Sequence, residues 1–348
     1  MAEPATRDDG PRPPRGSTFT EQDWRILARF WHPVAVAAEV SDQPAAVRLL
    51  DEALVVYRAA GRILVARDLC VHRGTPLSLG WVEGEEIICR YHGFRYGPDG
   101  RCRLIPAQPA DPIAPRLRIA VYPVVERFGL VWTCLDPAGG EAPPENPLWD
   151  DPSFQRIVCP PIDIAGSAGR QTEGFIDVAH FAWVHHETFA DRANPEVPRY
   201  KVERTANGFT ADYVSTVANF PKGLGLQAPP GFMWRRFFEV AVPFAARLTI
   251  TFPEGGLLCI MNCASPVSAR QTRLFVPILR NFGKDGPLEE VYAFNRRIFE
   301  EDRAIVEAQR PEDLPLDLSA EVHIAADRSS VAYRQALAAL GLGEAYTR

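Results

Sequence analysis

Two short segments of the chain place a cysteine and a histidine at metal-ligand spacing. Cys70 and His72 are separated by one residue, Cys89 and His92 by two, and sixteen residues lie between the pairs, which gives the pattern C-x-H-x16-C-x2-H. Thiolates and imidazoles are common ligands of zinc and of iron–sulfur clusters. Zinc sites of this size usually pair cysteine with cysteine and histidine with histidine. The mixed pairs therefore favour a cluster of two metals, to which each segment contributes a thiolate and an imidazole.

A second group of histidines lies in QTEGFIDVAHFAWVHHETF, residues 171–189. This segment contains His180, His185 and His186, and Asp177 precedes His180 by three residues. On an ideal helix with 100° per residue, His180 and His185 are about 140° apart. Both side chains reach one metal only if the helix bends or ends between them. Spacing alone leaves His185 and His186 as alternatives.

A helix predicted from Pro287 to Gln309 offers a carboxylate to the same site. A mononuclear Fe(II) that activates O2 is commonly held by two histidines and one carboxylate, which leave coordination positions open. With Val291 at 0°, the large apolar side chains of this helix centre near about +20°. The three acidic candidates fall at about +20° for Asp302, about −80° for Glu301 and about 180° for Glu300. The helix-face argument selects Asp302, and a buried Asp–Arg pair is the alternative.

The sequence around these residues resembles one protein family. The segments CVHRGTPLSLG and CRYHGFRYGPDGRC are similar to the two cluster-binding loops of the Rieske non-haem iron oxygenases. In a Rieske [2Fe-2S] cluster, two thiolates hold one iron and two imidazoles hold the other. The D-x2-H-x4-H pattern that begins at Asp177 and the stretch FEEDRAIVEAQ resemble the catalytic domain of the same family. The resemblance covers most of the chain outside its N-terminal tail.

The resemblance implies a set of ligands for each cofactor. The [2Fe-2S] cluster would be bound by Cys70, His72, Cys89 and His92. A mononuclear Fe(II) would be bound by His180, His185 and Asp302. The resemblance thus favours His185 over His186, and it leaves His186 as a local hydrogen-bond partner.

Asp177 has a different role in the family. The resemblance implies that it does not bind iron but connects His92 of one chain to His180 of the next, in a head-to-tail homotrimer. Many relatives carry an asparagine three residues before this aspartate, where this chain has Gly174. A polar contact supplied by that asparagine is therefore absent here, or replaced, for example by Glu173.

The remaining sequence predicts the elements that position these residues. Residues 1–18 are rich in Pro, Arg, Gly and Asp and predict a disordered tail. Short β-type runs predict an all-β domain over residues 19–135, which the resemblance implies is the Rieske domain, and the Pro-rich, acidic residues 136–160 predict a linker. Residues 161–348 show a helix around Gln171 to His185, then β runs and the late helix. The chain is therefore predicted to have an α+β fold. In its catalytic domain we expect an antiparallel, helix-grip-like sheet flanked by helices.

Composition excludes several other classes of protein. The chain has 348 residues, 46% hydrophobic and 24% charged, as in soluble globular proteins. A net charge of -6 argues against nucleic acid as a partner. No apolar run approaches the roughly 18 residues of a membrane span, and the N-terminus lacks the apolar stretch of a secretory signal, so we expect a cytoplasmic protein with no membrane partner. The five cysteines outside the cluster motif are expected to be buried apolar residues rather than disulfides.

These observations predict a terminal oxygenase similar to the single-subunit vanillate O-demethylase oxygenases. The chain has no G-x-G-x-x-G fingerprint of its own, so a separate reductase or ferredoxin would supply electrons. The resemblance favours monooxygenation by O2, either hydroxylation or O- or N-demethylation, of a small aromatic or heterocyclic molecule. The alternatives are a cis-dihydroxylating ring dioxygenase and a Rieske electron carrier without catalysis, against which the second histidine group argues.

Overall fold

The computed structural model describes residues 11–136, 138, 142–216 and 228–343. Within these ranges the chain forms five α-helices and eighteen β-strands, and the strands pair in four antiparallel sheets. Three small sheets make up the N-terminal part, and a seven-stranded sheet with helices makes up the C-terminal part. The predicted α+β fold is therefore confirmed.

The N-terminal part is built from short strands joined by tight turns. In sequence order its elements are α1 (Glu21–Leu27), β1 (His32–Val36), β2 (Ala45–Leu49), β3 (Glu52–Ala59), β4 (Arg62–Arg67), β5 (Trp81–Glu83), β6 (Glu86–Ile88), β7 (Arg95–Tyr96), β8 (Cys102–Leu104), β9 (Val121–Tyr122), β10 (Val124–Arg127) and β11 (Leu130–Thr133). The sheets have the strand orders β2-β3-β4-β9, β5-β6-β7-β8 and β1-β11-β10. The two residues between β3 and β4, Ala60 and Gly61, both have positive φ, as a tight hairpin turn requires.

The C-terminal part is one large sheet with helices packed on it. Its elements are β12 (Gln155–Ile164), α2 (Ala168–Ile176), α3 (Phe181–Val184), β13 (Lys201–Thr205), β14 (Gly208–Ser215), β15 (Trp234–Ala241), β16 (Ala245–Thr251), β17 (Leu257–Ser268), β18 (Gln271–Arg280), α4 (Leu288–Val306) and α5 (Arg328–Ala339). The strand order is β12-β18-β17-β16-β15-β14-β13. Every second side chain of β14 and β15 is buried, so these strands cover a core on one face. Helix α2 packs on β16, β17 and β18, and α4 packs on α2 and β12.

The helix predicted around Gln171 to His185 is two helices, which corrects the prediction. Helix α2 ends at Ile176, and Asp177 takes an extended conformation with φ −72° and ψ 136°. The Asp177 carboxylate accepts the backbone N–H of Ala179 at 2.9 Å, a local turn that competes with helix continuation. Helix α3 is a single turn, so His180 and His185 lie at its two ends.

Several other expectations meet the structure in the fold. All five cysteines outside the motif are buried and unpaired, as predicted. Thr18, at the end of the predicted tail, donates its N–H and hydroxyl to Asp51, while residues 1–10 lie outside the described residues. Strand β12 begins inside the proposed linker, and the domain boundaries remain a prediction. In the described ranges no helix is long and apolar enough to cross a bilayer, and the cytoplasmic location also remains a prediction.

Candidate metal centres

The first candidate centre consists of two loops with the same backbone pattern. In each loop the cysteine carbonyl accepts the N–H of the glycine four residues later, Gly74 or Gly93, at 2.9 Å. Each cysteine N–H also donates to the carbonyl five residues later, at 2.8 Å for Cys70 and 2.9 Å for Cys89. The glycines have φ of +74° and +69°, which disfavours any residue with a Cβ atom. The two loops are therefore copies of one turn, and each presents one thiol and one imidazole.

The two cysteines of these loops contact each other, and so do the two histidines. Cys70 and Cys89 are buried, and the rings of His72 and His92 lie 4.6 Å apart, centroid to centroid. The Nδ1 atom of His72 is buried and has no hydrogen-bond partner among the described residues. Burial raises the pKa of the Cys89 thiol, and the neighbouring Cys70 raises it further, so two thiolates here need a compensating cation. The orphaned nitrogen and the thiol pair fit a Rieske-type [2Fe-2S] cluster.

Tyr96 adds a contact that the spacing argument missed. Its hydroxyl oxygen lies 3.1 Å from Cys70 Sγ, and the residue is fully buried on β7. Burial, together with Cys70, raises the pKa of the Tyr96 hydroxyl well above its ordinary value. The hydroxyl therefore stays protonated and donates to a Cys70 thiolate. Hydrogen bonds to the sulfurs are among the factors that set the potential of an iron–sulfur cluster.

Replacing Tyr96 with phenylalanine should lower the reduction potential of the cluster. A hydrogen bond worth about 1 kcal/mol in favour of the reduced state corresponds to about 40 mV for one electron. A redox titration followed by EPR measures this potential. Tyr57→Phe is the matched control, because Tyr57 is another fully buried tyrosine of this domain and its hydroxyl has no hydrogen-bond partner among the described residues. Equal potentials for both variants and the wild type would contradict the assigned hydrogen bond.

The second candidate centre is a compact triad of His180, His185 and Asp302. The two Nε2 atoms of the histidines are 3.1 Å apart. Asp302 Oδ1 lies 3.0 Å from His185 Nε2 and 3.5 Å from His180 Nε2. Among the described residues this is the one group of three or more acidic, histidine or cysteine side chains whose ligand atoms all lie within 4.8 Å of one another.

These distances match one face of an octahedral metal site. Ligands about 2.1 Å from a metal, in adjacent octahedral positions, lie about 3.0 Å from each other. Two histidines and one carboxylate on one face leave the opposite positions open for small molecules. Burial alone would lower the pKa of His180, but Asp177 and Asp302 outweigh it and raise the pKa to about 9. This electrostatic pull on a proton is also a pull on a metal cation, so the donor set fits Fe(II).

Each histidine of the triad also has a carboxylate at its other ring nitrogen. Asp177 Oδ2 is 3.1 Å from His180 Nδ1, and Glu301 Oε2 is 2.8 Å from His185 Nδ1. Carboxylates in this position orient metal-bound imidazoles and fix their tautomer. The Glu301 contact was not foreseen, because helix periodicity places Glu301 away from the apolar centre of α4 and no local spacing connects it to His185.

The other residues singled out from the sequence lie outside the triad. His186 Nδ1 contacts the Trp183 carbonyl at 3.0 Å, in keeping with the local hydrogen-bond role expected for it. Glu173 does not take the place of the missing asparagine beside Asp177, because Arg334 binds its carboxylate through two contacts of 2.6 and 2.8 Å. A Cβ atom added at Gly174 would meet Val306 at 3.6 Å, an ordinary contact distance.

Comparison with known protein families agrees with both centres. The model of the Rieske [2Fe-2S] domain matches residues 30–123. The model of the vanillate O-demethylase oxygenase C-terminal domain matches residues 165–342, more than half of the chain. The chain belongs to the Rieske non-haem iron oxygenases. The oxygenase thus carries the predicted [2Fe-2S] domain, followed by the domain type that holds the candidate iron site.

Two relatives of the oxygenase are N-demethylases. Methylxanthine N1-demethylase NdmA of Pseudomonas putida is 33% identical over 321 residues, which cover 89% of this chain and 88% of the relative. Methylxanthine N3-demethylase NdmB of the same organism is 32% identical and covers 90% and 89%. The solved structure of NdmA with caffeine has a TM-score of 0.78 at 32% identity and covers 90% of this chain and 91% of that one. The oxygenase is therefore a terminal component related to N-demethylases.

Proposed function

We propose that this oxygenase monooxygenates a small aromatic or heterocyclic molecule, either by hydroxylating a C–H bond or by removing a methyl group from oxygen or nitrogen. O2 is the oxidant, and a separate reductase or ferredoxin supplies the electrons. The observation that carries the proposal is the triad, whose three ligand atoms all lie within 4.8 Å of one another. The demethylase relatives, which align with nearly the whole chain, support the choice of reaction.

We assign the ligands as the sequence predicted them. The cluster is held by Cys70, His72, Cys89 and His92, and the Fe(II) by His180, His185 and Asp302. When bound, the cluster supplies single electrons and the Fe(II) activates O2. Asp177 accepts the Nδ1–H of His180, which keeps the lone pair of Nε2 directed at the site.

Aromatic rings pack against both histidines of the triad. Phe181 meets His180 edge to face with ring centroids 4.9 Å apart, and Phe189 stacks on His185 at 4.8 Å. These rings restrict the rotation of both imidazoles and form an apolar wall beside the ligand atoms. Such a wall suits a flat, weakly polar substrate and limits the loss of reactive oxygen species to solvent.

We further infer a head-to-tail homotrimer in which Asp177 connects the triad to the cluster of a neighbouring chain. His92 is exposed at the tip of its loop, and no hydrogen bond joins it to Asp177 within the described part of one chain. Apolar side chains are exposed near both centres. Tyr91, which precedes His92 in the sequence, is 63% exposed, and Trp183, which lies between His180 and His185 in the sequence, is 56% exposed. Exposed apolar groups around both centres suit surfaces that meet in an assembly.

The decisive experiment follows the oxygen atoms of a reductase-driven reaction. The purified oxygenase, a ferredoxin reductase and NADH are incubated under 18O2 with a panel of N- and O-methylated heteroaromatic compounds. Demethylation consumes O2, two electrons and two protons and yields the demethylated compound, formaldehyde and water, so we expect one trapped formaldehyde per demethylated product. Hydroxylation of a C–H bond without loss of a methyl group would instead give a stable product with one 18O atom. The same compounds without the methyl group serve as controls. A vicinal diol with both atoms from one O2 would identify a dioxygenase, and a reducible cluster without O2 consumption on any compound would identify an electron carrier.

A further inference from the structure

Helix α4 reaches both nitrogens of one histidine with two consecutive carboxylates. Asp302 Oδ1 lies 3.0 Å from Nε2 of His185, and Glu301 Oε2 lies 2.8 Å from Nδ1 of the same ring. His185 is 2% exposed, so water does not compete for either nitrogen. The imidazole is thus held between two acidic side chains that are neighbours in sequence but about 100° apart around the helix.

Glu301 is itself held in place by two further side chains. The hydroxyl of Thr188, a buried residue, donates to Glu301 Oε2 at 2.9 Å. Arg297 Nε, one helical turn earlier, lies 3.4 Å from Glu301 Oε1. One carboxylate oxygen therefore accepts two hydrogen bonds from the segment that carries His185, while the other faces a cation. These contacts fix the carboxylate independently of any metal.

We propose that Glu301 is a positioning residue that fixes the tautomer of His185 and thereby sets the affinity and geometry of the mononuclear site. This inference rests on the proposed Fe(II) site. A carboxylate acceptor at Nδ1 keeps the proton on that nitrogen, so Nε2 directs a lone pair into the space between Asp302 and His180, where a cation would lie. The negative charge also increases the basicity of the imidazole as a ligand.

The role of Glu301 is separable from the packing around the ring. Phe189 stacks on His185 with an interplanar angle of 27°, which restricts the plane of the imidazole but does not select a tautomer. Glu301 selects the tautomer because an ionised carboxylate accepts hydrogen bonds but has no proton to donate. Loss of Glu301 should therefore change ligand binding more than it changes the fold.

Iron binding by the intact oxygenase tests the proposal. We expect Glu301→Ala to raise the dissociation constant of Fe(II) at the mononuclear site by about 10- to 100-fold, with Glu301→Gln in between. The EPR spectrum of the nitric oxide adduct of the bound Fe(II) should change in both variants after reconstitution with excess iron. The [2Fe-2S] spectrum should not change. Glu300→Gln is the matched control, because Glu300 precedes Glu301 on α4 but pairs only with Arg303 in the described contacts.

A second variant tests the same point without removing a charge. Thr188→Val removes one of the two hydrogen bonds that orient the carboxylate of Glu301, and we expect a smaller loss of affinity in the same direction. If the Glu301 variants do not fold, the Fe(II) affinity of Thr188→Val still tests the proposal. Wild-type affinity and an unchanged nitric oxide spectrum in the folded variants would overturn the proposal. Failure of the wild-type protein itself to bind Fe(II) outside the cluster would instead overturn the proposed function on which it rests.

Discussion

Asp302→Ala should empty the mononuclear iron site and abolish oxygenation, while the cluster remains intact. Asp302 supplies the only carboxylate oxygen of the triad, within 3.5 Å of both imidazole Nε2 atoms. Burial alone would raise the pKa of Asp302, but the two histidines outweigh it and lower the pKa, so the ionised side chain is the form that the site stabilises. Without it, two histidines remain as ligands and the charge that favours a divalent cation is gone.

Metal analysis and activity measure this effect together. We expect iron to fall from about three to about two atoms per chain, with about two acid-labile sulfides and the Rieske EPR signal unchanged. The rate should fall below about a thousandth of the wild-type value, which corresponds to about 4 kcal/mol of activation free energy.

The neighbouring acidic residues provide the controls for Asp302. Glu300→Ala should keep all of its iron. Glu301→Ala should refill when Fe(II) is added in excess, whereas Asp302→Ala should not. The opposite result, a refillable Asp302 variant and an empty Glu301 variant, would show that Glu301 is the ligand and that the helix-face argument chose the wrong carboxylate.

Asp177→Asn should retain both metal centres but lose nearly all multiple turnover. Asp177 Oδ2 lies 3.1 Å from His180 Nδ1 in the native protein. Asparagine has the same size and can accept the same hydrogen bond, but it lacks the negative charge. Burial raises the pKa of Asp177, and the contacts with His180 outweigh this and lower it, so the native side chain is charged at neutral pH. In the proposed trimer this negative charge lies between the imidazoles of His180 and of His92 from the neighbouring chain, and it stabilises both. We expect its loss to slow electron transfer from the cluster to the iron at least about 100-fold.

Stopped-flow oxidation of the reduced cluster, with substrate and O2 present, measures the affected step directly. Asp191→Asn is the matched control, because Asp191 accepts the N–H of the residue two positions later at 2.9 Å, as Asp177 does, and is paired with no histidine in the described contacts. Light scattering shows whether the assembly survives the substitution. Normal cluster oxidation in the Asp177 variant would mean that electrons reach the iron by another route, and loss of iron would mean that Asp177 mainly holds His180.

Local features of the sequence were sufficient for the fold class, and they selected the cluster loops and Asp302 as candidate ligands. The four residues Cys70, His72, Cys89 and His92 lie on two loops with the same turn. The hydrogen bonds of such a turn join residues at most five positions apart, so local sequence is enough to specify it. The helical period of α4 likewise depends only on the sequence of that helix, and the structure brings Asp302 to the two histidines as this period predicts.

Tertiary structure decided what depends on distant contacts. His185 rather than His186 belongs to the triad, because α3 is a separate one-turn helix with His180 and His185 at its two ends, which no periodic pattern reveals. Glu301 meets His185 across 116 positions of the chain, and Tyr96 meets Cys70 across 26. The same helix, α4, presents both Asp302 and Glu301 to His185. The Glu301 contact depends on how α4 lies against the segment that carries His185, and the Tyr96 contact on how β7 lies against the loop of Cys70. A pattern read along a single element contains no information on either arrangement.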